Sequence, residues 1–111
     1  MQKNIVLLLI YCLFTASAHA ADTVEMDFSQ YKVSHSSATK AAAIAFIKAD
    51  WDVDSLSADK AVGNLKNGAY VVEIDYSAIP KILIRSTKGR TSSKYLERLK
   101  REMLVALVSC N

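Results

Sequence analysis

The chain has 111 residues, with 14 Lys/Arg, 11 Asp/Glu, two His and a formal net charge of +3. A chain of this length makes one domain and buries only about two-thirds of its unfolded surface, which excludes a large enclosed active site. Of its two cysteines only Cys110 lies beyond the first twenty residues, so no internal disulfide framework is expected and the fold must stand on packing.

Residues 1–20 read as a secretory signal peptide. Lys3 supplies the positive end, "IVLLLIYCLF" an apolar run, and "TASAHA" the small residues, with Ala18 and Ala20 at the −3 and −1 positions of a cut. An apolar run that short makes a helix of about 15 Å, half of a ~30 Å hydrocarbon core, so no transmembrane anchor is expected. Cys12 sits inside the run behind the bulky Tyr11, which argues against lipid attachment. Cleavage after Ala20 and a periplasmic or secreted location follow. In the mature part, residues 21–79 hold five Lys/Arg against nine Asp/Glu, and residues 80–111 hold eight against two. Such segregation suits an acidic partner, although each set can also decorate its own solvated face.

Residues 21–36 form an N-terminal arm in which Val24, Met26 and Phe28 alternate with Glu25 and Asp27, the pattern of a short strand or of an extended arm lying on the domain. Residues 37–111 form the single small domain. It starts with a helix capped by Ser36 or Ser37, in which Ile44, Ile47 and Trp51 make one apolar stripe beside Ala43. "DVDSLSAD" breaks the pattern, and from Lys60 the period becomes two.

Asn67-Gly68 is a two-residue hairpin signal, because both turn positions need positive φ. It pairs Leu65 with Tyr70, Gly63 with Val72 and Ala61 with Ile74 on one face, and Val62 with Glu73 and Lys60 with Asp75 on the other. Pro80 opens a third strand, which is expected to set Lys81 opposite Asp75, Ile82 opposite Ile74 and Ile84 opposite Val72. That register leaves a row Lys60–Asp75–Lys81 of alternating charge on the open face. "TKGRTSS" then leads to a C-terminal helix with Leu96, Leu99, Met103, Leu107 and Cys110 on its inner side. Lys94, Glu97, Arg98, Lys100 and Arg101 lie on the other side, with Glu97 placed to pair with Arg101. The expected fold is α+β: a two-layer sandwich of order α-β-β-β-α, with a three-stranded antiparallel meander covered on one face by two helices.

"ADWDV" (Trp51, Val53), "EIDY" (Ile74, Tyr76) and "YLERL" (Tyr95, Leu96, Leu99) stand in an order that resembles a family of small uncharacterised bacterial envelope proteins and lipoproteins with the same helix–three-strand–helix plan. The resemblance spans about residues 38–108 and implies the fold and an envelope location, with no activity attached. Where that family carries Tyr-Asn-x-Trp, this chain has Ser92-Ser93-Lys94-Tyr95, so no polar site is implied there.

Chemistry-bearing residues are few. His35 is the only histidine after residue 20, and "SHSS" offers it hydroxyls without an acid, as expected of a solvated loop residue. Asp50, Asp52 and Asp54 alternate, but no glycine and no closing glutamate follow at calcium-loop spacing, so they read as a solvated acidic edge. No phosphate loop, metal spacing or nucleophile motif occurs, and no catalytic, cofactor or metal residues are assigned. The candidate interaction residues are the C-terminal cations Arg85, Lys88, Arg90, Lys94, Arg98 and Arg101 with Tyr95, suited to an unknown protein partner or an anionic envelope surface rather than to nucleic acid, which an exported protein seldom meets. Cys110 is the candidate intermolecular thiol. The chain thus reads as a non-enzymatic binding or interaction module of the bacterial cell envelope. The alternatives are a self-associating structural protein, dimeric through the C-terminal helix or Cys110, and a small secreted inhibitor or accessory subunit.

Overall fold

A computed structural model describes residues 23–110; the expected signal peptide lies outside them. The described chain runs β1 (Thr23–Asp27), α1 (His35–Lys48), β2 (Asp52–Leu56), β3 (Lys60–Leu65), β4 (Tyr70–Asp75), β5 (Lys81–Lys88) and α2 (Ser93–Cys110). The α+β class stands, but the sheet has five antiparallel strands, in the order β1-β5-β4-β3-β2. The three expected strands are its centre. The arm supplies β1 at one edge, and "DVDSL", which the sequence marks as a break, supplies β2 at the other.

The hairpin between β3 and β4 has the expected register, from Leu65 opposite Tyr70 to Lys60 opposite Asp75. Asn67 and Gly68 both have positive φ, 56° and 89°, as the turn requires, and Lys66 joins them at 55°. The next hairpin corrects the expectation: Asp75 faces Leu83, Ile74 faces Ile84 and Val72 faces Ser86, two residues from the expected partners. The cause is a longer connection. Tyr76 continues the β3 side of the ladder, donating its backbone N–H to the Asp59 carbonyl, and Lys81 turns back to the carbonyl of Ala78, so pairing with β5 starts later along that strand. A slip of two keeps every side chain on its face, and Ile74, Ile82 and Ile84 are buried as expected. Lys81 instead lies opposite Asp27 of β1.

Helix α1 departs further. Ser34, not Ser36 or Ser37, is its N-cap. The Ser34 hydroxyl accepts the Ser37 N–H at 3.0 Å, and the Ser37 hydroxyl accepts the Ser34 N–H at 3.0 Å, a reciprocal box built from two serines. The buried face is Ala38, Ala41, Ala42, Ala45, Phe46 and Ala49, while Ile47 is 65% exposed. Small side chains let the helix approach both the sheet and α2, and the Phe46 ring occupies the space left by Gly63 on β3.

The helix ends in a Schellman motif. Asp50 has φ 67°, its N–H reaches the carbonyl of Ile47 at 3.1 Å, and the Trp51 N–H reaches that of Phe46 at 2.8 Å. The Phe46 and Trp51 rings, 6.1 Å apart, close the turn with an apolar contact. Helix α2 buries Leu96, Leu99, Met103 and Leu107 as expected, with Ala106 beside them. Tyr76 is buried beneath the β2–β3 turn and donates its hydroxyl to the Ser57 carbonyl at 2.6 Å.

Candidate interaction surface

Both helices lie on one face of the sheet, α1 over β2 and β3 and α2 over β1 and β5, packed side by side. They run antiparallel. Lys48 lies by Arg98, whose guanidinium donates to its carbonyl at 2.9 Å, and Ile44 lies by Val105 and Ala106.

The outward pole of α2 follows from the 3.6-residue period: Lys94, Arg98, Arg101, Val105 and Val108 sit at i, i+4, i+7, i+11 and i+14. All five are exposed. The outward pole of α1 carries Lys40 and Ile47, both exposed, with Ile44 half-buried on the flank towards α2. The helical layer therefore shows solvent two antiparallel rows, each with cations towards its N-terminal end and apolar groups towards its C-terminal end: Lys94, Arg98 and Arg101 before Val105 and Val108 on α2, and Lys40 before Ile47 on α1, which brings Ile47 level with Arg98 and Arg101. Leu104 adds an exposed apolar flank next to Lys100, towards Phe28 and Tyr31.

Charge is divided between the two layers. The helices carry Lys40, Lys48, Lys94, Arg98, Lys100 and Arg101 against Glu97 and Glu102. By strand register, the open sheet face carries Glu25, Asp27, Asp52, Asp54, Glu73 and Asp75 against Lys60, Lys81, Arg85 and Lys88.

The expected set of cations is thus divided. Lys94, Tyr95, Arg98 and Arg101 share the helical layer. Arg85 sits on the opposite face of the molecule, 2.7 Å from Asp75 and 3.0 Å from Glu73, the latter a charge contact without hydrogen-bond alignment. Glu73 also holds Lys60 at 3.1 Å, so the expected row Lys60–Asp75–Lys81 is replaced by a chain Lys60–Glu73–Arg85–Asp75. Lys88 ends β5, and Arg90 lies in the loop after it. The Ser77 hydroxyl, bonded to Asp75 at 2.6 Å, is the first cause that holds the Asp75 carboxyl below its ordinary range, ahead of its partial burial, which opposes, and of Arg85. Glu97 and Arg101 form no ion pair among the described residues.

The remaining polar candidates are accounted for by the fold. His35 is the first residue of α1 rather than a loop residue, exposed and 4.0 Å from Asp59. Asp50 forms the end of α1, while Asp52 and Asp54 lie on the edge strand β2. No group of three or more His, Cys, Asp or Glu is placed to hold a metal among the described residues. No described helix is long and apolar enough to cross a membrane. Cys110 closes α2, and its side chain is outside what the structure describes, as is the inward placement expected for it.

Sequence reasoning missed Lys40, Ile47 and Lys48 as surface residues, because isoleucine out-ranks alanine in hydrophobicity; Ile44 is half-buried against the core. The signal that finds them is the alanine spacing itself: positions 38, 41, 42, 45 and 49 form a complete helical stripe opposite Ile47. Comparisons with protein-family models, curated proteins and solved structures return no match to this chain.

Proposed function

We propose that this protein is a non-enzymatic binding module of the bacterial cell envelope, whose helical layer engages an anionic partner. The envelope location rests on the export signal read in residues 1–20. The observation that carries the binding reading is the division of charge: six cations and two anions on the helical layer, against an excess of acids on the open sheet face. Arg85 is removed from the interaction set, since its cross-strand acids already neutralise it.

Retention on an immobilised polyglutamate tests this reading. Lys40→Gln with Lys94→Gln should shift elution to lower salt, while Lys60→Gln with Lys81→Gln on the sheet face should not. Equal shifts from both pairs, or no retention at 50 mM salt, would sink it.

Self-association through α2 is the second reading, favoured by the exposed Leu104, Val105 and Val108. It is the weaker one, because a two-fold contact between helical layers sets like charges against each other.

A further inference from the structure

We infer that the anionic partner is a lipid surface: the helical layer lies flat on an anionic bilayer, with Ile47 and Val105 entering the headgroup region and the surrounding cations meeting the headgroups. The inference rests on the anionic-partner reading above and specifies its chemistry.

Three observations point to lipid rather than to an acidic protein. The apolar groups are on the outward pole, not in a recess: Ile47 is 65%, Val105 55% and Val108 49% exposed, so they are open to an approaching plane. They share one outward face with long cationic side chains: along about 21 Å of α2, Lys94, Arg98 and Arg101 are followed by Val105 and Val108, and antiparallel α1 brings Ile47 level with the cationic end, which suits a membrane interface where basic side chains reach out to the headgroups. Third, the acidic sheet face is on the far side of the molecule, so an anionic plane attracts one layer, repels the other and fixes the orientation. A second copy of the chain fits less well, because its helical layer bears the same charge.

The shared-residue test uses the chain from Ala21 onward, the form left by the expected cleavage, and three probes: vesicles of phosphatidylcholine alone, vesicles with one-quarter phosphatidylglycerol, and soluble polyglutamate. Binding to the phosphatidylglycerol vesicles is expected, with little to phosphatidylcholine, and should weaken at least tenfold between 50 and 200 mM salt. Lys94→Gln and Arg101→Gln should each weaken it about fivefold. Ile47→Ser with Val105→Ser should weaken vesicle binding about tenfold or more and leave polyglutamate binding unchanged. The substituted groups are exposed, and unchanged emission from buried Trp51 checks that the variants remain folded. Polyglutamate binding without vesicle binding, or vesicle binding indifferent to the Ile47→Ser/Val105→Ser pair, overturns the lipid inference and leaves the anionic-partner reading standing. Binding to neither probe overturns both.

Discussion

Asp50 shows how much a single backbone angle decides. It occupies the left-handed position that ends α1, where glycine is usual because a Cβ is crowded there. Asp50→Gly is therefore expected to stabilise the fold by up to about 1 kcal/mol, read as a higher urea midpoint at unchanged slope. Gly63 is the reverse case: a Cβ there would lie 2.6 Å from Cε1 of Phe46. Gly63→Ala should cost about 1–3 kcal/mol. Combining it with Phe46→Leu should recover part of that loss, and a strictly additive double variant would exclude the steric account. Tyr76 carries a pH signature. Burial, the largest cause, raises its pKa above the ordinary phenol value, opposed by the Thr39 hydroxyl and aided by Asp59. The folded state therefore holds its proton longer than the unfolded chain. The stability this contributes is complete below about pH 10 and is lost as pH rises further. Urea midpoints measured from pH 8 to 11 should fall more steeply for the parent chain than for Tyr76→Phe.

At the level of elements, legibility tracks how each strand is held. β3 and β4 announce themselves because the Asn67-Gly68 turn and the alternation Ala61, Gly63, Val72, Ile74 specify the same register. β5 is visible as a strand but not in its pairing, because nothing local records how long the connection after Asp75 is. β2 is nearly invisible: all five of its residues are exposed, so it has no buried face to produce alternation, and it is a strand because β3 offers it backbone partners. In α1 the stripe read from Ile44, Ile47 and Trp51 holds in part: Trp51 is buried and Ile44 half-buried, but Ile47 is exposed and the alanine face is what the helix buries, since closeness of approach, not side-chain size, decides it. The candidate site was legible only in its α2 half. β2 also bears on solubility. It is an open edge, interrupted by a bulge between Val53 and Ser55 and bearing Asp52 and Asp54, both features that discourage strand addition. Replacing both acids by Thr should promote edge-to-edge association, seen as concentration-dependent light scattering, while the folded monomer keeps its far-ultraviolet circular dichroism.

For the molecule as a whole, the charge asymmetry seen along the chain becomes an asymmetry between layers. The acidic N-terminal part sends Lys40 and Lys48 of α1 to the helical layer, and the basic C-terminal part sends Lys81 and Arg85 to the sheet face. The polarity that faces a partner is therefore that of the packed layers, which chain order alone does not show. It also bears on assembly: in sizing experiments at 50 and 500 mM salt, with and without reductant, the chain should elute as a monomer. A dimer that dissociates with reductant would point instead to a Cys110 bridge.

The position of β1 gives the molecule a clock. Thr23 pairs with Arg85, 62 residues away, across a crossover that places β1 and β2 at opposite edges of the sheet. β2 to β5 can zip up through short turns, but β1 must wait until nearly the whole chain is available, and such distant pairing is slow to close. During that interval β5 is itself an edge, with Ile82 and Ile84 not yet flanked by Met26 and Val24. The N-terminal strand thus acts as the final closure of the fold, and removing it would leave the half-assembled sheet as its permanent state.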